Sequence, residues 1–294
     1  MVGMDFDVAV VGGSVAGLQA ALTLGRARRR VVLFDDGRAR NRAAEHVHNY
    51  LGVLNPAPGE LLGVGREQVA AYGVAVRESR VTDARAVDGG FVVGGERVRA
   101  VVLATGLWDE LPEVPGIADG WGRSVVACPH CHGWEVRDQP LVQVGMRGFP
   151  ERSVARALLL SRWSDEVVLC TDGDELTSEQ LQRLAAAGVG VRCERIAEVR
   201  GTEVALAGGE RLSARRVFVV VRQHQQSNLA ERLGCEVVDG AVVTVGGRTN
   251  VPMVYAVGTT TEPALLAIGA AGQASTAAVA VHNDLLDSDL RGRG

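Results

Sequence analysis

The segment from Asp7 to Asp36 constrains the chain most. From Asp7 to Val11 it is apolar and rich in β-branched residues, it stops at Gly12-Gly13, and Val15 to Leu22 follows with helical spacing. A second apolar run, Val31-Val32-Leu33-Phe34, ends at Asp35-Asp36-Gly37. Strand, glycine turn, helix, strand and acid in that order read as a parallel βαβ unit. Such a unit aims the free N–H groups of the helix at a pyrophosphate and the acid closing the second strand at a ribose hydroxyl. Ser14 stands where the fingerprint Gly-x-Gly-x-x-Gly has its second glycine, and it is small enough to keep that approach close. A glycine-punctuated βαβ unit that holds no nucleotide is the other reading of this segment alone.

The length, 294 residues, suggests roughly two domains of about 150 residues each. A net charge of −4 with 47% hydrophobic residues argues against disorder and against a basic nucleic-acid binder. All 31 basic residues are arginine, which removes Walker-type phosphate binding and any Schiff-base lysine. The apolar stretch Val8 to Leu24 is broken by Gly12, Gly13 and Gly17 and lacks the basic flank of a signal peptide. Val251 to Val281 is interrupted by Thr259 to Glu262 and by Gln273, a poor membrane span. A soluble cytoplasmic protein with neither membrane nor nucleic-acid partners is expected. Two of its five cysteines form Cys128-Pro129-His130-Cys131, a spacing that in a reducing compartment points to redox or metal chemistry.

Further along, Phe91-Val92-Val93 and Val98 to Leu103 around Gly94-Gly95-Glu96 read as a hairpin, and the second strand runs into Ala104-Thr105-Gly106. Proline-punctuated Leu111 to Gly116 reads as an interdomain crossing. A second αβ region has strands at Leu141 to Val144 and Glu166 to Cys170 and helices at Ser153 to Trp163 and Thr177 to Ala187. Arg248 to Gly258 then leads into an alanine-rich helix. The expected fold is α/β, with two Rossmann-like, three-layer ββα nucleotide-binding domains: residues 1–112 and 245–294 form the first, and 113–244 are inserted into it.

The order of glycine fingerprint, Asp35, Ala104-Thr105-Gly106, Cys128 to Cys131, second nucleotide-like domain and Val254-Tyr255-Ala256-Val257-Gly258 resembles the low-molecular-weight thioredoxin reductase family over nearly the whole chain. Within it, Cys128-Pro129-His130-Cys131-His132-Gly133-Trp134-Glu135 is similar to the dithiol oxidases that close the disulfides of natural products such as gliotoxin and holomycin. The resemblance implies FAD, with its phosphates at Gly12, Gly13, Ser14 and Gly17, its ribose on Asp35, and Ala104, Thr105 and Gly106 passing close by. It places Asn49 against the flavin and makes Gly258 the glycine of a terminal Gly-Asp motif, with Thr259 in place of the aspartate. It also implies a homodimer.

By the same resemblance Cys131 lies against the flavin and Cys128 exchanges with substrate. The aspartate that follows the second cysteine in the reductases is His132 here, and His130 sits inside the pair. An imidazole titrates near neutrality and can accept a thiol proton. The competing reading is half a zinc site, but a fourth ligand at recognisable spacing is absent, so no metal is expected. Cys170, Cys193 and Cys235 read as small core residues. His46 and His48 either face the flavin or lie in a solvated loop, and Trp134 either walls a substrate pocket or packs a domain interface.

The second fingerprint is degraded. Val144-Gly145-Met146-Arg147-Gly148-Phe149-Pro150 puts Arg147 where the backbone of a dinucleotide must approach, and Pro150 interrupts the turn. The next strand ends Asp172-Gly173-Asp174-Glu175, carboxylates where the reductases place arginines around a 2′-phosphate. The rival is a shifted loop in which Arg147 or Arg152 grips phosphate. Without nicotinamide the electrons run from a small-molecule dithiol through the cysteines and FAD to O2, giving H2O2. The expected activity is therefore an FAD-dependent dithiol oxidase; an NAD(P)H-dependent thioredoxin or disulfide reductase and a redox-sensing flavoprotein are the alternatives.

Overall fold

In the computed structural model, which describes residues 4–291, the predicted unit forms as β1 (Phe6–Val11), α1 (Val15–Arg26) and β2 (Val31–Phe34). After it come α2 (Pro58–Ala71), β3 (Ala75–Arg77), β4 (Ala84–Val87), β5 (Gly90–Val93), β6 (Glu96–Leu103) and β7 (Leu107–Glu110). The middle of the chain carries α3 (Ile117–Gly120), β8 (Val125–Val126), α4 (Pro129–His132), β9 (Leu141–Val144), α5 (Pro150–Leu160), β10 (Val167–Cys170) and α6 (Ser178–Ala186). It continues through β11 (Gly190–Arg192), β12 (Ile196–Arg200), β13 (Glu203–Leu206), β14 (Arg211–Ser213), β15 (Arg216–Val219) and β16 (Arg222–Gln225). The last part holds α7 (Leu229–Arg232), β17 (Val237–Val238), β18 (Ala241–Val242), β19 (Val254–Ala256) and α8 (Ala267–Arg291).

Two units result. The first comprises the described residues of Met1–Arg42 with Tyr50–Trp108 and Gln223–Gly294; the second comprises Ala43–Asn49 and Asp109–Arg222. The sequence had put the insertion at 113–244, and two things move its limits. Leu229, Ala230, Cys235 and Val242 pack into one core with Ala9, Val11 and Val32 of the first unit, so the chain returns well before residue 245. Ala43–Asn49 makes a separate excursion into the second unit.

In the first unit the sheet runs β3-β2-β1-β6-β5-β4. β1 lies parallel to β2 and to β6, with Val8 opposite Val31 and Ala100. The far edge of β6 is shared: β5 pairs antiparallel with it from Phe91 opposite Val98, and β19 pairs parallel with it from Val254 opposite Val101. Alternation on β1 feeds two cores, as the period of two requires. Val8 and Val10 join Ala16, Ala20, Ala274, Ala277 and Val281 of α1 and α8, and Ala9 and Val11 join Phe91, Val93 and Leu229 on the opposite face. The alanine-rich composition of α8 is thus the packing surface against α1, since small side chains let two helices approach closely. The predicted hairpin turns at Gly94 and Gly95, both with positive φ, as a two-residue connection demands.

In the second unit the sheet runs β11-β10-β9-β15-β8, and β12, β13 and β14 form a separate antiparallel sheet. Val142 and Val144 face Val204 and Leu206 of that layer, while Leu141 packs with Val154, Ala157 and Leu160 of α5. Pro150, expected to interrupt the turn, instead opens α5 as its first residue, where its missing N–H costs nothing. Among the described residues no helix is long and apolar enough to cross a membrane.

Candidate active site

In the first unit, the turn after β1 leaves no room for side chains. A Cβ on Gly12, which has φ +111°, would lie 2.2 Å from the Ala104 carbonyl oxygen. One on Gly17 would lie 1.7 Å from the Gly12 carbonyl, and one on Gly13 would lie 2.3 Å from Cγ of Asp35. Gly12, Gly13, Gly17, Asp35 and Ala104 therefore converge on one turn. Ser14 is the N-cap of α1, and its side chain makes no cap hydrogen bond, which leaves the leading N–H groups of the helix without a side-chain acceptor. The Asp35 carboxylate accepts from Gly37 N at 3.0 Å and from Arg66 Nη2 at 2.6 Å.

The second half of this cradle comes from the end of β6 and from the turn at Gly258. Gly106 and Gly258 both have positive φ, and the Thr105 hydroxyl lies 3.3 Å from that of Thr260. Thr260 is buried and bonds Gln225 through its hydroxyl, while Gln225 Nε2 donates to the Thr260 carbonyl at 2.8 Å. Gly258 N donates to Gln273 Oε1 of α8 at 2.5 Å. Thr259 Oγ1 lies over Gly106, 3.4 Å from where a Cβ would stand. Thr260, Gln225, Gln273 and Arg66 escaped the sequence reading because each is an isolated polar residue whose partner lies far along the chain.

In the second unit, Cys128 and Cys131 are joined in a disulfide, with Cα atoms 5.3 Å apart. Cys128 is the N-cap of the single turn α4 and Pro129 opens it, so both sulfurs come from one tight turn that also carries His130 and His132. His130 packs edge-on against Trp163 at 5.4 Å, and the same indole leaves no space for a side chain on Gly133. His132 is driven down to about 4 by burial, by the Arg216 guanidinium and by His48. His132 is therefore neutral at ordinary pH. Trp134 is 65% exposed beneath the Arg137 guanidinium, 3.9 Å from its ring centroid.

The excursion Ala43–Asn49 approaches this turn. Ala43 packs against Gly122, where a Cβ would meet the Ala43 carbonyl oxygen at 2.2 Å. His48 Nδ1 lies 2.7 Å from the Cys131 carbonyl oxygen and 3.7 Å from Glu135 Oε2. His48 is therefore placed at the disulfide turn, an arrangement its position in a polar loop did not reveal. Asn49, with φ +55°, closes the same excursion. Of the remaining cysteines, Cys170 and Cys235 are buried as expected, and Cys193 is exposed, because it follows the end of the edge strand β11. Among the described residues no group of three or more His, Cys, Asp or Glu side chains is placed to hold a metal ion.

The second fingerprint is closed by its own carboxylates. Gly148 N donates to Asp174 Oδ2 at 2.9 Å, and Arg147 Nε lies 3.7 Å from Oδ2 of buried Asp172. Asp172 also receives Ile196 N at 2.9 Å and Arg195 Nη1 at 3.4 Å. Arg152 lies over the Phe149 ring at 5.8 Å.

Residues 6–282 match the pyridine nucleotide-disulphide oxidoreductase family. The chain belongs to that family. Its relatives include the thioredoxin reductase of Mycolicibacterium smegmatis, 29% identical over 96% of this chain and 97% of that protein. The thioredoxin reductase aclD of Aspergillus oryzae is 35% identical over 60% of each chain. The chain spans about half the length of several such relatives, 46% for the probable thioredoxin reductase of Arthroderma benhamiae. Among solved structures, HlmI is 39% identical over 99% of this chain and 95% of that one, with a TM-score of 0.92. The oxidoreductase from Agrobacterium tumefaciens is 36% identical over 96% and 99%, with a TM-score of 0.89. This oxidoreductase is a flavoprotein of thioredoxin reductase-like fold, and its cofactor is FAD. The first unit fits that group: three glycines that admit no Cβ, an uncapped helix start and a carboxylate closing β2 are what a dinucleotide pyrophosphate and ribose need.

Proposed function

We propose that the oxidoreductase is a dithiol oxidase that closes a disulfide in a small-molecule dithiol, with O2 as electron acceptor and H2O2 as product. The observation that carries this reading is the blocked second fingerprint, in which Asp174 holds Gly148 N–H and the paired Arg147 and Asp172 occupy the turn a nicotinamide dinucleotide would need. Similarity to HlmI over nearly the full length supports the same branch.

The chain's own chemistry is thiol–disulfide exchange. A substrate thiolate attacks Sγ of Cys128, the Cys128–Cys131 bond breaks, and a mixed disulfide forms. The second substrate thiol then attacks the substrate sulfur of that mixed disulfide, which releases the oxidised substrate, leaves the cysteine pair reduced by two electrons and hands two protons to the site. FAD, when bound, supplies the two-electron acceptor that restores the disulfide and delivers the pair to oxygen. The first unit holds the cofactor through Gly12, Gly13, Ser14, Gly17, Asp35, Ala104, Thr105, Gly106, Gly258 and Thr259.

The thioredoxin reductase names of the relatives favour the rival reading, an NAD(P)H-dependent reductase. Oxygen uptake with a panel of small dithiols, with and without NADPH, separates the two. Uptake that needs no NADPH is expected; rapid bleaching of the flavin by NADPH alone would overturn the oxidase reading.

A further inference from the structure

Two histidines approach the disulfide turn, and they differ in how their protons are held. A carbonyl oxygen only accepts, so the 2.7 Å contact between His48 Nδ1 and the Cys131 carbonyl fixes a proton on Nδ1. The neutral ring then has Nε2 as its one accepting atom. Glu135 Oε2, 3.7 Å from the same Nδ1, stands ready to balance a positive ring. His132, whose ring is 5.8 Å away and edge-on, has no such counter-charge at its ring and faces Arg216 instead. The other ring beside His48 is His46 of its own segment, 5.9 Å ring to ring, and Arg216 at the start of β15, which acts on His132, is itself offset by Glu45 and Glu135.

We propose that His48, carried on the excursion Ala43–Asn49, is the residue that holds the proton released during thiol–disulfide exchange at Cys128–Cys131. The inference rests on the dithiol reading above. Of the two protons a substrate dithiol gives up, one ends on Cys128 and the other on His48 Nε2, which leaves Cys131 as a thiolate. The resulting imidazolium keeps its Nδ1–H on the Cys131 carbonyl and gains Glu135 as its counter-ion. His48 thus acts as a positioning and proton-holding residue, its orientation set through the backbone of the very cysteine whose thiolate it balances.

The test is anaerobic reduction of the disulfide in the FAD-loaded protein by dithiothreitol, followed by rapid quench and thiol tagging between pH 6 and 9. For His48→Gln the second-order rate constant is expected to fall about 100-fold, the lower end of what a positioned general base supplies, and the pH profile to change shape. Glu135→Gln, a change at a partly exposed side chain, is expected to slow the step about tenfold, and His132→Gln less than threefold. Circular dichroism and flavin content show whether each variant is folded. A His48→Gln rate within twofold of the parent at every pH, or a larger loss in His132→Gln than in His48→Gln, overturns the proposal. The readout does not involve oxygen, so absence of oxygen uptake with an intact His48 effect would sink the oxidase reading alone.

Discussion

Asp174 Oδ2 accepts the Gly148 N–H at 2.9 Å, so a carboxylate of the chain sits at the turn of the second unit where a phosphate oxygen would need to be. The replacement is electrostatic as well as steric. The turn that would welcome an anion already has one, and Arg147, the nearest cation, is matched to Asp172.

Nicotinamide binding should therefore be weak. Exchanging two arginine–phosphate bonds for carboxylates forfeits about 1.5 to 3 kcal/mol each, roughly a hundredfold or more in affinity before repulsion is counted. Neither NADPH nor NADH at about 0.1 mM, a roughly 5 kcal/mol binding level, is expected to give a saturable flavin or fluorescence change. Asp174→Ala alone should not restore one, because Arg147, paired with Asp172, remains in the turn.

Both cysteines are expected to be obligatory for turnover. Cys128→Ser and Cys131→Ser each remove one partner of the disulfide, and dithiol-driven oxygen uptake should drop to the rate of free flavin. The ultraviolet-visible spectrum should still report bound FAD, because the glycine cradle lies in the first unit.

Gly12→Ala and Gly17→Ala test the cradle directly. A methyl group would meet the Ala104 carbonyl at 2.2 Å or the Gly12 carbonyl at 1.7 Å, against backbone atoms that cannot move aside cheaply. Overpacking at either position, with the positive φ of Gly12 added there, should cost about 2 kcal/mol or more in unfolding free energy. Thermal melts and the fraction of flavin retained through gel filtration measure it.

Acid should destabilise the second unit through His132. Its folded-state value of about 4 lies below the ordinary 6.5, so between these limits the unfolded chain binds the extra proton. Stability then rises with pH across that window and is lost as pH falls from about 6.5 towards 4, by on the order of 3 kcal/mol at most. Urea unfolding at pH 7 and pH 5 should show the loss, and His132→Gln should reduce it. No change in the pH slope for that variant would contradict the assignment.

Local patterns carried much of the architecture. The β1–α1–β2 unit, the Gly94-Gly95 hairpin and the alanine-rich α8 follow from residue type and period within windows of some twenty residues, and each forms nearly where its sequence puts it. The cradle residues were legible because a glycine that admits no Cβ has few other uses. Pro150 was misjudged because the same residue that breaks a helix interior suits its first turn. His48, Gln273 and Arg66 were not legible in their roles, since each depends on a partner distant along the chain: Cys131, Gly258 and Asp35. The limits of the insertion were missed for a related reason. Cys235 and Val242 read as neutral apolar residues until the core they complete is known.

The excursion Ala43–Asn49 bears on how such proteins can diversify. A gene fragment spanning only 109–222 would encode the cysteine pair without the imidazole that touches its backbone, so exchange of this lobe between relatives must move two separated coding stretches at once. Recombination at a single pair of breakpoints would yield a chimera whose cysteines keep their spacing but lose their neighbour. The strap therefore ties the ancestry of the two lobes together more tightly than a simple inserted domain would.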